Sequence, residues 1–278
     1  MKKISRRSFL AAAGLSVAAL ALTACGGSAS SVASSVASSA SSAAASTSAA
    51  AGELTTVEAG KLTMATNAAF PPYEMTTDYG EFEGIDIETA QAIADKLGLE
   101  LQIDDMDFDA ALLSVQQGKA DIVMAGVTVT DERKAVMDFS DSYATGIQSI
   151  IVPEGSDIAS PDDLAGKKIG TQRGTTGYIY CSDDFGDENV VAYDDGLTAV
   201  QALNNGQVDA VVIDNAPAQE FVAANPGLKI LDTSYAEEDY AIGVAKNSPL
   251  EDAINSALEE LKADGTLQAI VDKYITAE

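Results

Sequence analysis

Histidine is absent from the 278 residues of this chain, and cysteine occurs only twice. Without histidine, neither Ser-His-Asp nor Cys-His catalysis is available, and the commonest zinc ligand is missing. Cys25 belongs to an N-terminal processing motif described below, which leaves Cys181 without a cysteine partner. No intrachain disulfide is therefore expected.

Basic residues are also scarce, with 16 Lys and Arg against 43 Asp and Glu and a formal net charge of −27. A field of this sign disfavours nucleic acid and anionic lipid surfaces as partners. It has little effect on a small zwitterion, whose two charges largely cancel beyond a Debye length. The acidic run from Asp105 to Asp109 does not fit a calcium loop, because Ala110 and Gln116 replace the required glycine and terminal acid. We predict no metal site and no cofactor.

The first 24 residues have the features of a targeting segment. A basic start precedes an uncharged apolar run from Phe9 to Ala24, which is short for a membrane span. Leu-Thr-Ala-Cys at 22–25 then matches a lipobox, the cleavage and lipidation signal of bacterial lipoproteins. We predict a signal peptide over residues 1–24 and a lipidated Cys25; an ordinary signal peptide with an incidental cysteine is the alternative. Two adjacent arginines favour twin-arginine export, and the general pathway stays open.

The segment that follows has a very simple composition. Residues 26–52 contain only Gly, Ala, Ser, Val and Thr. Such a segment buries too little apolar surface to offset the entropy lost on ordering it. We predict a flexible stalk over residues 25–52, lipidated Cys25 included, that joins the lipid to a folded part.

The stretch from Gly118 to Lys134 predicts the centre of a binding site. Gly118 ends a helix, residues 122–124 form a buried strand, and a turn of small and hydroxyl residues leads to a helix that begins at Thr130. Arg133 lies in the first turn of that helix, where the macrodipole disfavours a cation. A guanidinium beside free helix N–H groups would bind a carboxylate. A solvated surface arginine is the alternative.

A second copy of this arrangement follows at an offset of 88 residues. Gly206 and Asp209 correspond to Gly118 and Asp121, and the strand after them ends at Asp214. Two such units predict two similar lobes whose polar turns face each other across a cleft, since ligands of open α/β sheets bind beyond the carboxyl ends of the strands. A cation from one lobe and a carboxylate from the other would suit a free α-amino acid.

Two other turns carry candidate binding residues. Between residues 172 and 177, glycines flank Thr175 and Thr176 ahead of a helix, which suits the presentation of N–H groups and hydroxyls to an anion. The loop 68–73 contains two prolines that restrict its backbone, so it can hold Phe70 rigidly over a ligand. Packing of Phe70 inside its lobe is an equal alternative.

The order of predicted strands and helices indicates an α/β chain with two open sheets. We assign residues 53–150 and 236–278 to the first lobe and residues 151–235 to the second. Extended segments near 148–152 and 236–242 cross between the lobes, which predicts a two-segment hinge.

Six motifs follow one another along the folded part of the chain. They are Phe-Pro-Pro-Tyr-Glu at 70–74, Gly-Ile-Asp-Ile-Glu at 84–88, Gly-Lys-Ala-Asp at 118–121, Ala-Gly-Val-Thr-Val-Thr-Asp-Glu-Arg-Lys at 125–134, Asp-Phe-Ser at 138–140 and Gly-Thr-Thr-Gly at 174–177. In this order they resemble solute-binding protein family 3, the amino-acid receptors of ABC importers. The resemblance implies a two-lobe periplasmic-binding-protein fold of type II that closes on its ligand and docks on a membrane permease.

The resemblance also implies roles for residues at matching positions. The ligand carboxylate would be held by Arg133, together with Thr128 and the N–H of Thr176. The ligand ammonium would be held by Asp214 and by the carbonyl of Gly126.

Aromatic side chains at Phe70 and Phe108 would sandwich the ligand side chain, and Asn67 and Gln172 fall at positions that tune specificity. The complete predicted ligand-binding set is Asn67, Phe70, Phe108, Ala125, Gly126, Thr128, Arg133, Gln172, Thr175, Thr176 and Asp214.

Asn67 also marks a departure from the family pattern. Several relatives that select basic or amide side chains have an acid at this position, so Asn67 favours a neutral or polar amino acid over a basic one. Glu74 offers a carboxylate to a basic side chain, although a solvent-facing Glu74 is the favoured interpretation.

We therefore expect an extracytoplasmic, lipid-anchored and monomeric receptor that captures an L-amino acid and delivers it to the permease subunits of an ABC importer. The lipid anchor is its only predicted contact with the membrane, and nucleic acid is not an expected partner. A receptor for basic amino acids, a sensor module and a dehydratase on the same fold are the alternatives. The absence of histidine disfavours the enzyme.

Overall fold

The computed structural model of the protein describes residues 54–275. The predicted signal peptide, the lipidated Cys25 and the stalk lie outside the described residues. From residue 54 to residue 275, no helix combines the length and the apolar character needed to cross a lipid bilayer.

The first lobe is built on a five-stranded mixed sheet. Its strands are β1 (Lys61–Thr66), β5 (Glu100–Asp105), β6 (Ile122–Val123), β7 (Met137–Phe139) and β14 (Gly243–Ala245). Their order is β5-β1-β6-β14-β7, in which β5, β1 and β6 are parallel and β14 is antiparallel to its neighbours. The accompanying helices are α1 (Ile85–Leu97), α2 (Phe108–Gln116), α3 (Asp131–Lys134), α7 (Leu250–Ala263) and α8 (Thr266–Tyr274). A small separate sheet contains β2 (Ala69–Phe70), β3 (Glu74–Thr76) and β4 (Phe82–Glu83).

The second lobe has a six-stranded mixed sheet. Its strands are β8 (Ala144–Pro153), β9 (Ile169–Gln172), β10 (Val190–Tyr193), β11 (Ala210–Asp214), β12 (Leu228–Ile230) and β13 (Ala236–Tyr240). The order is β10-β9-β11-β8-β12, and β13 also pairs with β8. The helices are α4 (Thr176–Phe185), α5 (Gly196–Asn204) and α6 (Asn215–Ala224), with short 3-10 turns at Pro161–Leu164 and Asp187–Asn189.

Helices cover both faces of the second sheet, and the middle of β11 and residues 150–153 of β8 are apolar. On β11, Val211 packs into one core cluster and Val212 into the cluster on the opposite face. On β8, Ile151 and Ile150 are divided between the two faces in the same way. Strands buried on both faces have no polar–apolar alternation, which explains the continuous hydrophobic runs in these segments.

The predicted helix–glycine–strand repeat is present in both lobes. Gly118 follows α2 and Gly206 follows α5, with φ angles of 65° and 67°, a conformation that favours glycine. In both copies the next backbone N–H returns to a carbonyl five residues earlier, at 2.9 Å. Each glycine thereby closes its helix and turns the chain toward the following strand.

The two aspartates of the repeat have the same structural role. Asp121 Oδ2 accepts the N–H of Thr63 at 2.8 Å, and Asp209 Oδ2 accepts the N–H of Lys168 at 2.8 Å. Asp121 also accepts the N–H of Val57 at 2.7 Å. Each carboxylate therefore connects the start of its own strand to the strand beside it. The aspartates of the repeat stabilise the two sheets and are not part of the cleft wall.

The hinge is a two-stranded antiparallel ladder. Residues 144–148 of β8 pair with residues 236–240 of β13. The predicted first segment, 148–152, lies a few residues too late, because that part of β8 pairs with β11 inside the second sheet. Since β8 runs without a break from the hinge into the second lobe, the lobe boundaries at 150/151 and 235/236 stay a prediction.

Replacement of Asp121 by alanine is expected to lower the free energy of unfolding by about 1–3 kcal/mol, because the buried N–H of Thr63 loses its acceptor. Asp232→Ala removes the same charge from an exposed position between β12 and β13, and we expect a change below about 0.5 kcal/mol. Urea denaturation followed by circular dichroism measures both. Equal unfolding free energies for the two variants would contradict the stabilising role of the repeat aspartate.

Candidate ligand-binding site

A cleft between the lobes collects residues from both sheets and from the hinge. The space between its walls is about 440 Å³, open mouth included. The lining residues are Asn67, Phe70, Glu74, Phe108, Gly126, Thr128, Arg133, Gln148, Gln172, Thr175, Thr176, Val212, Ile213, Asp214 and Tyr240. Many of them lie at or just beyond the carboxyl ends of β1, β6, β9 and β11, where open α/β sheets bind ligands.

Ten of the eleven predicted binding residues line this cleft. Ala125 is the exception, because it packs into the apolar cluster that contains Ala111 and Val123 and is not part of the wall. The structure thus brings the predicted set together with one residue displaced from the surface of the cleft. The roles assigned to the individual residues stay predictions.

Arg133 is a buried cation in the wall of the cleft. Only 9% of its surface is exposed, and its guanidinium lies 5.4 Å from the centre of the Phe108 ring. Nη1 donates to the carbonyl of Thr128 at 2.8 Å, and Nη2 donates to the carbonyl of Gly174 at 3.1 Å. Arg133 forms no ion pair with any residue between 54 and 275. A buried charge without a neutralising partner is costly, so this wall is suited to an anion.

The two neighbouring helices contribute differently to this wall. α3 has only four residues, and the Thr130 hydroxyl already accepts the N–H of Arg133 at 3.1 Å. One N–H group of this helix is therefore occupied, and the expectation that its free N–H groups join the guanidinium stays a prediction. α4 in the opposite lobe has ten residues, is capped by Thr175 and begins at Thr176, which lines the cleft. Its first N–H groups have no partner within the helix, and its dipole favours an anion at this end.

Asp214 is a buried carboxylate in the wall of the second lobe. It ends β11 and caps α6, with Oδ1 accepting the N–H of Ala216 at 3.1 Å. Oδ2 accepts the N–H of Ile147 at 2.6 Å. Burial raises the pKa of Asp214 to about 6, although these two N–H groups and the Tyr240 hydroxyl favour the ionised form. The site therefore has one carboxylate suited to a cationic ligand group.

Hydrogen bonds cross the cleft and hold its walls together. The Asn67 amide oxygen accepts from Gln172 Nε2 at 2.8 Å, and Arg133 reaches the Gly174 carbonyl as described above. A close approach at the same place joins Gly174 to Asp109, because a Cβ built on Gly174 would lie 1.6 Å from an Asp109 carboxylate oxygen. Side chains of the two lobes are thus in direct contact, so the cleft is closed.

Glu74 is a buried residue of the cleft wall, and its predicted exposure to solvent is wrong. Its side chain is fully buried, it lines the cleft, and no described N–H or O–H group donates to its carboxyl oxygens. Burial and the neighbouring Asp86 raise the pKa of Glu74 well above its usual range. Asp86 accepts the N–H of Gly126 at 3.0 Å and the Tyr143 hydroxyl at 2.8 Å. Burial therefore favours the neutral form of Glu74, and an approaching cation would favour the ionised form.

Sequence reasoning missed the residues that the hinge contributes. Gln148 on β8 and Tyr240 on β13 line the cleft. On β13, Glu238 and Tyr240 are buried while Glu237 and Asp239 are exposed, as the two-residue period of a strand requires. Glu237, Glu238 and Asp239 are all acidic, so the hydrophobicity of the sequence does not show which of them is buried.

Known proteins resemble this chain over most of its folded length. The L-cystine-binding protein TcyJ of Escherichia coli (strain K12) is 33% identical over 226 residues, which cover 80% of this chain and 85% of TcyJ. An ancestral arginine-binding protein has been solved bound to arginine and bound to glutamine. These structures are 44% and 43% identical to the chain, with TM-scores of 0.74 and 0.75, and the match covers 78% of this chain and 98% and 99% of theirs.

The family itself is identified by a match along nearly all of the folded part. The model of the bacterial extracellular solute-binding proteins, family 3, matches residues 62–277. The predicted family and the two-lobe α/β fold are confirmed. The family and its relatives are solute-binding proteins, which confirms the expectation of a binding protein and overturns the dehydratase alternative. The chain belongs to the bacterial extracellular solute-binding proteins, family 3.

Proposed function

We propose that this protein captures one L-amino acid between its lobes and delivers it to the permease of an ABC importer. One observation carries the proposal: a buried guanidinium, Arg133, and a buried carboxylate, Asp214, come from different lobes and line the same closed cleft. A free amino acid supplies the opposite charge to each of them. The names of relatives support an amino acid as ligand, since TcyJ is an L-cystine-binding protein and the ancestral protein was bound to arginine and to glutamine.

The ligand carboxylate is assigned to the wall formed by Arg133 and the start of α4. A guanidinium matches the two oxygens of a carboxylate with parallel N–H donors, and Arg133 has no competing ion pair among the described residues. The N–H group of Thr176, the first residue of α4, adds a donor from the other lobe. A carboxylate at this position therefore bridges the lobes and favours the closed state over the open one.

The ligand ammonium is assigned to Asp214, with the carbonyl of Gly126 opposite it. Asp214 already accepts two backbone N–H groups, and a carboxylate has further acceptor capacity. Gly126 lies in the turn after β6, where its φ of 55° and the Phe70 ring, 2.8 Å from a Cβ built at this position, leave no room for a side chain. The close approach of ring and backbone limits the space to a small group.

Two aromatic rings border the space left for the ligand side chain. Phe108 is buried under the Arg133 guanidinium, and Phe70 packs against the cores of both lobes. Phe70 also stacks on Tyr73, with 5.8 Å between ring centres. We infer that the ligand side chain lies between Phe70 and Phe108, because such a slot accepts an extended chain of either polarity.

A neutral or polar amino acid is the ligand that we propose first. Asn67 and Gln172 present a pair of amides to the cleft, and amides recognise uncharged donors and acceptors. A basic amino acid is the second candidate, favoured by the buried Glu74 carboxyl with Asp86 behind it. A cationic side chain beside Glu74 would favour its ionised form, whereas a neutral side chain would not.

The remaining parts of the proposal rest on the N-terminal sequence. We infer anchoring to the extracytoplasmic face of the cell membrane through a lipid on Cys25, a stalk over residues 25–52, and function as a monomer. The export route, twin-arginine or general, stays open. A sensor module is the alternative to import, and a permease gene beside this one would favour import.

Arg133→Ala and Asp214→Ala are each expected to weaken amino-acid binding tenfold or more, about 1.4 kcal/mol, because each leaves one ligand charge buried without a partner. Arg173→Ala is the matched control, since this arginine is 55% exposed and is paired with Asp194. Isothermal titration calorimetry with the purified protein measures all three. Wild-type affinity in Arg133→Ala would reject Arg133 as the partner of the ligand carboxylate, and wild-type affinity in Asp214→Ala would reject Asp214 as the partner of the ligand ammonium.

A thermal-shift panel of the twenty standard amino acids and L-cystine is expected to give its largest shift with a neutral or polar member. Glu74→Gln separates the two candidates, because it removes the only acid on the cleft wall apart from Asp214 among the described residues. If the ligand is neutral, Glu74→Gln keeps the shift; if it is basic, the shift is lost. Stabilisation by arginine and lysine alone, lost in Glu74→Gln, would overturn our first choice.

Amino-acid affinity is expected to fall about tenfold between pH 7 and pH 5, because the ammonium requires ionised Asp214 and only the ionised fraction binds. The pKa of Asp214 near 6 places this loss in that window. Calorimetry at each pH, with Asp214→Asn as the reference, isolates this carboxylate from other groups. An equal pH dependence in Asp214→Asn would exclude Asp214 as the cause.

A further inference from the structure

Glu238 is a buried acid behind the wall of the cleft. It lies on the hinge strand β13, is 7% exposed and does not line the cleft itself. Its Oε2 atom accepts three hydrogen bonds, each 3.0 Å long, from the hydroxyls of Thr128 and Thr176 and from Nε2 of Gln148. Thr128 belongs to the first lobe and Thr176 to the second. One hinge carboxylate therefore contacts a wall residue from each lobe.

We propose that Glu238 is a positioning residue that turns Thr128 and Thr176 into hydrogen-bond acceptors toward the cleft and thereby selects ligands that carry an ammonium group. This inference rests on the proposed function and deepens it.

The chemistry follows from the single proton of a hydroxyl. A threonine hydroxyl has one donor hydrogen and two acceptor lone pairs, whereas a carboxylate only accepts. Because Thr128 and Thr176 both donate to Glu238, neither has a hydrogen left for the cleft that both of them line. Their oxygens lie 3.4 Å apart, so two acceptors from opposite lobes face one small volume. A group with several N–H donors suits that volume, and a group that presents only lone pairs does not.

The same geometry limits what Thr128 can do for a ligand carboxylate. Its hydroxyl cannot donate to that carboxylate while it donates to Glu238, so the anion is left to the Arg133 guanidinium and to backbone N–H groups. The charge of Glu238 also opposes the lowering of the Arg133 pKa by burial. Glu238 thus supports the cationic side of the cleft without occupying it.

Glu238→Gln tests this role, because the amide keeps the shape of the side chain but replaces one acceptor oxygen with a donor. The single amide oxygen can still accept all three hydrogen bonds, but it is a weaker acceptor than a carboxylate oxygen. The hydroxyl hydrogens of Thr128 and Thr176 are then held less firmly and can turn into the cleft. The probes are the amino acid that the thermal-shift panel selects, L-glutamine or L-arginine, and its 2-hydroxy acid analogue. We expect the amino acid to bind about tenfold more weakly and the hydroxy acid to change by less than about threefold. The preference for the amino group would therefore shrink.

Glu237→Gln is the matched control, since it removes the same charge from the exposed face of the same strand. It is expected to leave both dissociation constants unchanged. If Glu238→Gln weakens both probes equally, or neither, the positioning role is rejected and Glu238 serves only the hinge. If wild-type protein binds none of the panel compounds, the proposed function fails and this role fails with it.

A second pair of variants covers the case in which Glu238→Gln does not fold. Thr128→Val removes the hydroxyl and keeps the shape, and it should reduce the preference for the amino group over the hydroxy group as Glu238→Gln does. Thr128→Ser keeps the hydroxyl and should preserve that preference. Equal preferences in Thr128→Val and Thr128→Ser would overturn the proposal. Where Glu238→Gln folds, adding Thr128→Val to it should cost little more, because both changes remove the same acceptor.

Discussion

The burial of the Arg133 guanidinium without a direct ion pair among residues 54–275 is the constraint on which the rest of this site depends. A guanidinium stays charged when buried, and the protein satisfies it only with an aromatic ring and two backbone carbonyls. One of those carbonyls, at Gly174, lies in the other lobe. The charge is therefore enclosed only when the cleft is shut, and an entering anion would give it the direct ion pair that it lacks among residues 54–275. Closure and anion binding are coupled through this one side chain.

Asp214 is the buried charge of opposite sign in the same cleft. Asp214 is held by the first turn of α6 and by the hinge N–H of Ile147, so its position follows the relative orientation of β11 and β8. The hinge thus contributes to the site directly as well as connecting the lobes. Glu238 extends this arrangement, because a carboxylate on β13 orients hydroxyls that belong to both lobes. The hinge strands β8 and β13 therefore connect the lobes and also position groups of the binding site.

Several features were predictable because they depend on local chemistry. The glycines that end α2 and α5, the aspartates that follow them and the cap at Thr175 depend on backbone conformation within a few residues, and the structure has all of them. The placement of Phe70 or Arg133 beside a cleft was reachable from motifs in the turns after strands. The hinge register was not, because β8 continues from the hinge into the second sheet as one unbroken strand. The burial of Glu74 was also unreadable, since a three-residue strand has too little pattern to show which face is buried.

The two-lobe α/β fold, the membership of a solute-binding family and most of the residues that line the cleft could be inferred from the sequence, because they depend on local motifs and on the order of those motifs. Three features required the tertiary structure: the packing of Ala125 away from the wall, the burial of Glu74 near Asp86, and the hydrogen bonds that Glu238 accepts from Thr128 and Thr176. These facts depend on which atoms from distant segments share a volume without water. Burial and hydrogen-bond direction are properties of that shared volume, and no single segment encodes them.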